Sequence, residues 1–360
     1  MLENQYLVAL SAFSYFGPER IALMLKYFKS AKEIWSAKNS EFVKIGINTQ
    51  KILEFDNFRK NFDIDKYFKN LQKFGVCALT INDPNYPENL IGLKGMPHVL
   101  YVRGEYLQSD SVSVAIVGTR AMTSYGREMS SRLASEFASF GITVVSGLAL
   151  GIDAEAQRSA LKAGGRTIAV LASGLDIISP YSNKALALEL IKGNGALVSE
   201  YPLGHVPFRS DFALRNRLIS AISQAVVVVE GRMKSGTFYT VNAAADQGRP
   251  VFAVPGQATS PASEAPNYLI QNGAKLITSA KDVIDELNLQ IKANSRNLKK
   301  IIPEGENEAE ILSALSVEPL HLDEIVRILG LATAVVSARL TIMEMKGLIK
   351  NLGNNMFIKI

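Results

Sequence analysis

Six short apolar runs, each separated from the next by an amphipathic helical pattern, constrain this chain more than any other feature. They read VAIVG (114–118), ITVVSG (142–147), TIAVLA (167–172), ALVSE (196–200), AVVVVE (225–230) and PVFAVPG (250–256). Between them lie SYGREMSSRLASEFASF, DAEAQRSALKAG, NKALALELIKGNG, DFALRNRLISAIS and TFYTVNAAADQG. A strand that is apolar along its whole length is buried on both faces, and strands that alternate with helices pair in parallel through helical crossovers. The expected fold class is therefore α/β: a Rossmann-like, mostly parallel sheet core over 76–287. Ligands of such sheets bind beyond the carboxyl ends of the strands, where the Gly-rich turns of this sequence fall.

The flanks read differently. Residues 1–75 carry helical patterns (LVALSAF, GPERIALMLKYF, SAKEIW, EFVKIG) broken by Gly, Pro and Ser, with Pro18 at a first-turn position. The GPER helix and the KIGIN break resemble SAM-like or helix-hairpin-helix units, and a protein-docking or spacer role is equally open. Residues 288–308 are polar and aperiodic, a linker. Residues 309–360 read helix, turn with Pro319, helix, GLAT turn, helix, then a hairpin in LIKNLGNNMFIKI, the pattern of a C-terminal winged-helix domain. Its second helix after the turn, TAVVSARLTIMEMKG, offers Arg339 and Lys346 as cations, so protein contact is favoured there over sequence-specific DNA contact.

The formal net charge is +5, yet residues 76–287 carry 18 basic against 18 acidic side chains. A polycationic coat is excluded, and a polyanion would need a local cluster. One cysteine, Cys77, rules out an internal disulfide and reads as a small core residue. No metal-ligand spacing is present, and His98, His205 and His321 are scattered, so no catalytic triad is expected. The N-terminus lacks a secretory pattern, and no apolar run approaches the ~18 residues of a membrane span; a cytoplasmic protein is expected.

Four strand-end turns carry polar or glycine chemistry. In VGTRAMTSYG, Gly118, Thr119 and Arg120 precede a helix whose free amides and neighbouring guanidinium suit phosphate, although a tight turn with a surface arginine is the plainer alternative. In SGLALGIDAEAQ, Gly147 and Gly151 mark close backbone packing or a ligand lying over the loop, and Asp153 reads as a helix cap. LASGLD places Ser173 and Gly174 after the third strand. In VVEGRMKSGT, the segment Lys234, Ser235, Gly236, Thr237 forms an anion cradle without P-loop spacing, which favours binding without hydrolysis.

The segment FRSDFALRNR (208–217) adds Arg209, Phe212, Arg215, Asn216 and Arg217 to the same end of the sheet. A helix starting near Asp211 puts Leu214, Leu218, Ile219, Ala221 and Ile222 in one sector together with Arg215, and leaves Asn216 and Arg217 outside it. Arg215 is then expected to be held by a carboxylate, Glu200 or Glu230, while Arg209, Phe212 and Arg217 face a ligand. Arginines for phosphates and a phenylalanine for a base are the parts of a single-strand binding site.

Taken in order, VAIVGTR with SYG, SGLALGIDAEAQ, TIAVLASGLD, SEYP, FALRNRLI, VVEGRMKSGT and RPVFAVPG resemble the DprA (Smf) family of bacterial DNA-processing proteins over 76–287. The resemblance implies a non-enzymatic mediator that binds and protects single-stranded DNA and promotes RecA loading in natural transformation. Its partners would be single-stranded DNA, RecA, single-strand binding protein and a second copy of the chain, with no cofactor and no membrane. It assigns Gly118, Thr119 and Arg120, and Phe212, Arg215, Asn216 and Arg217, to the family's DNA site, with Arg209 in its basic position. Self-association is assigned to NYLIQNGAKLIT through Leu269, Ile270 and Leu276, residues that could equally close the sheet edge of the monomer. The chain departs from the family at Gln157, Ser173 and Ser179, where histidine, glycine and tyrosine are common, which argues against a histidine-dependent role. The alternative reading is a Rossmann-like nucleotide-binding enzyme of the phosphoribohydrolase type, but no glutamate follows the SGT turn.

Overall fold

The computed structural model describes residues 2–289 and, beyond them, residues 310–312, 315, 319–345, 348–353 and 355–359. The expected linker lies outside the described residues from 290 onward, as does Lys346. Two compact units form, Met1–Asn294 and Ser295–Ile360.

The first unit opens with six helices, α1 (Glu3–Ser11), α2 (Pro18–Phe28), α3 (Ala31–Ser36), α4 (Asn39–Lys44), α5 (Thr49–Asn61) and α6 (Ile64–Lys73). Pro18 sits at the start of α2, where its missing N–H costs nothing. Phe16, Trp35, Phe42 and Phe55 interlock among these helices. The helices share a core with the sheet through Val99, Tyr101 and Leu197, and the Tyr101 hydroxyl meets Ser11 Oγ at 2.9 Å.

A nine-stranded sheet follows: β1 (Val76–Thr80), β2 (Val99–Gly104), β3 (Ser113–Val117), β4 (Thr143–Ser146), β5 (Thr167–Val170), β6 (Gly195–Ser199), β7 (Ala225–Val228), β8 (Val251–Ala253) and β9 (Lys275–Leu276), in the order β1-β2-β6-β5-β4-β3-β7-β8-β9. From β6 to β9 all pairings are parallel, and β2 runs antiparallel to both β1 and β6. The connecting helices are α7 (Ser124–Ser139), α8 (Ile152–Lys162), α9 (Lys184–Glu189), α10 (Arg209–Ile222), α11 (Thr237–Asp246), α12 (Glu264–Gln271) and α13 (Ala280–Leu287). Strand alternation divides the core: Val114 and Ile116 pack under α7, α8 and α13, whereas Ala115 and Val117 pack under α10 and α11. After β6 the chain returns through α10 to place β7 beside β3, so the strand order reverses between β4, β3 and β7. That reversal opens a crevice at the carboxyl ends of β3 and β7.

Three expectations change here. Cys77 is exposed on edge strand β1 rather than in the core. Leu214 is 54 % exposed, because the first turns of α10 run past the strand ends and the sheet does not cover them. Leu269 packs in the core beneath β7 and β8, so its side chain is withdrawn from any partner, while Leu276 is exposed on β9 at the sheet edge. No helix among the described residues is long and apolar enough to cross a membrane.

The second unit has β10 (Leu320–His321), α14 (Leu322–Leu329), α15 (Thr333–Met345), β11 (Ile349–Gly353) and β12 (Met356–Lys359), with strand order β10-β12-β11. Ile325, Val336, Leu340, Met343, Ile349 and Phe357 form its core. Among the described residues α14 and α15 are closed by an antiparallel hairpin, the arrangement of a winged helix that the sequence pattern indicates; the first of its three expected helices lies mostly outside the described residues.

Candidate nucleic-acid interface

A cleft of about 1090 Å³ opens at the strand reversal. Gly118, Thr119 and Arg120 line it from the turn after β3, Arg209, Phe212, Arg215 and Asn216 from α10, and Lys234, Ser235, Gly236 and Thr237 from the turn after β7. Three sequence-distant turns are stitched together beneath it. The Thr119 amide donates to Glu230 O at 2.8 Å, the Ile152 amide donates to Thr119 O at 3.2 Å, and Asn216 Nδ2 donates to Gly236 O at 3.3 Å.

Glu230, 2 % exposed at the end of β7, accepts from the Thr123 amide at 2.9 Å and from its hydroxyl at 2.5 Å. Thr123 in turn caps α7 by accepting from the Gly126 amide. Instead of the expected hold on Arg215, Glu230 is the partner of a helix start, which holds the Gly118–Arg120 turn in place.

The arginines of RNR divide their work differently from the expectation. Arg215 is buried, but among the described residues no carboxylate pairs with it directly: it donates to the carbonyls of Gly147 (2.9 Å) and Val170 and to Asn216 Oδ1 (3.1 Å). Glu200 instead pairs with Arg217, at 2.5 Å. Arg217 therefore does not line the cleft; its guanidinium is turned toward β6 to neutralise a carboxylate that burial raises above its ordinary pKa. Arg215 faces Asp153 across Gly147. Asp153 accepts from the Gly147 amide at 3.0 Å rather than capping α8, so the capping role is corrected to a buried counter-charge. Burial raises the Asp153 pKa, opposed by Arg215, and pushes that of Arg215 down to about 10.

Gly147 and Gly151 also lie off the cleft wall. A Cβ on Gly147 would sit 2.8 Å from both Arg215 Nη2 and Asp153 Oδ2, so the glycine is required for that close approach. Gly151, at φ +77°, packs directly on the Thr119 and Arg120 backbone. Of the two readings of this glycine spacing, backbone packing is the one the fold uses.

The exposed charges that line the cleft are cationic, the one carboxylate among its described lining residues, Asp153, being buried. Arg120, Arg209 and Lys234 are exposed, and among the described residues none of them pairs with a carboxylate. The Arg120 guanidinium lies 5.7 Å from the Phe212 ring centroid. The start of α10 is held by Asp211, whose Oδ2 accepts from the Phe208 amide (2.9 Å) and from His205 Nε2 (2.8 Å). That carboxylate in the first turn offsets the unfavourable placement of Arg209 against the helix dipole. Tyr239, 59 % exposed, lines the cleft and was not singled out from the sequence. Its signal was present: α11 buries Thr237, Thr240, Val241 and Ala244, and Tyr239 falls off that stripe directly after the anion cradle.

The arrangement is an α/β strand-end cleft with fixed cations and aromatic faces, suited to holding a polyanion that carries bases. The chain belongs to the DprA/Smf family. The family model described as DNA recombination-mediator protein A matches residues 77–288, and that of the DprA winged helix domain matches residues 300–355. Protein Smf of Synechocystis is 32 % identical over 96 % of both chains. DNA processing protein DprA of Bacillus subtilis is 42 % identical over 59 % of this chain and 72 % of its own. Among solved structures, DNA processing protein A of Streptococcus pneumoniae superposes with TM-score 0.68 at 32 % identity, covering 78 % of this chain and 97 % of that one. The DNA processing protein A of Helicobacter pylori, whose structure describes a single-stranded DNA binding mode, gives TM-score 0.53 at 33 % identity over 59 % of this chain and 95 % of that one.

Proposed function

We propose that this protein binds single-stranded DNA in the strand-end cleft, protects it, and promotes loading of RecA, without covalent chemistry of its own. The observation that carries the reading is the set of exposed cations in one cleft, Arg120, Arg209 and Lys234, none paired with a carboxylate among the described residues, with Arg120 over the Phe212 ring. Cations neutralise phosphates, and an aromatic face accepts any base, so binding is tolerant of sequence. The single-stranded DNA binding mode described for the Helicobacter pylori protein supports the same assignment. Asp153, the carboxylate among the cleft-lining residues, is engaged by the Gly147 amide and faces Arg215, which weighs against its serving as the base of a nucleotide-processing enzyme. Self-association is assigned to the sheet edge at β9, where Leu276 is 46 % exposed and an unpaired strand edge is available. The winged helix is assigned to protein contact, since α14 and α15 expose Ile328 and Ile342.

The test is oligonucleotide binding across a salt series. Three phosphate contacts on a single strand predict a slope of log affinity against log salt of about −2. Equal affinity for blunt duplex overturns the reading. RecA filament formation on strands coated with single-strand binding protein should be stimulated, and a lack of stimulation removes the loading step alone.

A further inference from the structure

We infer that His205 is a positioning residue for the cleft: through Asp211 it fixes the first turn of α10 and thereby holds Arg209 where a phosphate of the strand can reach it. This rests on the cleft being a single-strand site. Arg209 lines the cleft, whereas neither His205 nor Asp211 does. A cation in the first turn of a helix opposes the helix dipole, so Arg209 stands where the backbone least favours its charge. Its side chain is exposed, and among the described residues no ion pair holds it. The placement of Arg209 therefore depends on how firmly the start of α10 is fixed.

One carboxylate oxygen with two donors does the fixing. Asp211 Oδ2 accepts from the Phe208 amide at 2.9 Å and from His205 Nε2 at 2.8 Å. The first bond closes the cap of α10 itself, and the second reaches out of the helix to the loop that follows β6. That loop is anchored in turn. The imidazole stacks on the Tyr201 ring, with centroids 4.2 Å apart and planes 7° from parallel, which sets the plane in which Nε2 meets the carboxylate. The Gly174 amide donates to His205 O at 3.0 Å, and the Gly204 amide donates to Asp176 Oδ1 at 3.0 Å. The imidazole and carboxylate are 17 % and 11 % exposed, so water competes little for the bond between them. Phe208 is 70 % exposed and meets the same imidazole edge-on, so the hold on this end of α10 runs through His205. Asp211 is also a negative charge two residues from Arg209. Were its charge all that mattered, removing it would tighten the binding of a polyanion, whereas a positioning role makes its removal weaken that binding.

The test measures oligothymidylate binding by the full chain across a salt series, with thermal melting of every variant. Arg209→Gln sets the reference: loss of one phosphate contact lowers the magnitude of the slope by about 0.7. His205→Phe keeps a ring on Tyr201 but removes the donor, and it should bind more weakly with the same loss of slope. His205→Gln, whose amide can donate to Asp211, should restore the parental slope. Asp211→Ala should weaken binding as His205→Phe does. In the Arg209→Gln background His205→Phe should change neither affinity nor slope, because the group it positions is gone. Parental affinity and slope in His205→Phe overturn the role, whatever its melting temperature. So does tighter binding by Asp211→Ala, or a further loss in the double variant. If Arg209→Gln keeps the parental slope, the positioning role fails while the cleft reading stands on Arg120 and Lys234. If the parent binds no single strand at all, the cleft reading fails first and the positioning role with it.

Discussion

Arg215→Ala separates a framework arginine from a ligand-binding one. The side chain is buried and supplies donors to the carbonyls of Gly147 and Val170, and it is the positive charge facing Asp153 across Gly147. Removing it leaves two buried carbonyls without this donor and a buried carboxylate uncompensated, which costs about 3–5 kcal/mol. That is a large fraction of the ~5–15 kcal/mol typical of a folded domain. The cost should depend on pH. Burial already raises the folded pKa of Asp153, and Arg215 opposes that rise, so the variant raises it further. A carboxyl with a folded pKa above its unfolded value weakens the fold fully above the folded pKa, and the penalty fades as pH falls through it. The deficit of Arg215→Ala should therefore be largest at neutral pH and shrink on acidification, and Asp153→Asn added to it should restore part of the loss. Urea denaturation followed by the fluorescence of Trp35, the sole tryptophan, reads this directly. If Arg215→Ala unfolds within about 1 kcal/mol of the parent at neutral pH and yet loses DNA affinity, the framework role is wrong and Arg215 is a ligand group.

Three further outcomes follow from the same geometry. Arg120→Ala and Arg209→Ala should each reduce the magnitude of the salt slope by about 0.7 with unchanged melting, because both side chains are exposed and unpaired; a preserved slope removes them from the phosphate path. Arg217→Ala should do the reverse, destabilising the fold by about 3 kcal/mol through the stranded Glu200 while leaving the salt slope intact, as urea titration and binding on the surviving fold would read. Glu230→Ala removes the acceptor for the Thr123 amide and hydroxyl and should cost about 1–3 kcal/mol, with weaker oligonucleotide binding as the Arg120 turn loosens; unchanged melting would show that the turn holds without it.

The strand-helix alternation, the parallel sheet and the winged helix are legible in the linear pattern because burial on both strand faces and the period of a helix are local properties. The cleft members Gly118, Thr119, Arg120, Arg209, Phe212 and the Lys234–Thr237 cradle are legible for a related reason: strand-end turns of a doubly wound sheet converge whatever their loop details. Helical phase also places Arg215 correctly on the buried side of α10. Its partners were not legible. Phase says which way a side chain leaves its own helix and nothing about what the neighbouring elements present there. Only the packed sheet decided that Arg215 meets the carbonyls of Gly147 and Val170, that Glu200 takes Arg217, and that Glu230 fastens the start of α7. The same limit hid Leu269 in the core and left Leu214 exposed, since solvent access depends on where a helix ends relative to the sheet beneath it. FRSDFALRNR thus carried in its own letters a charged helix start at a strand-end cleft, while the choice of which arginine holds the frame and which is left exposed to the cleft belonged to groups brought together by the tertiary fold.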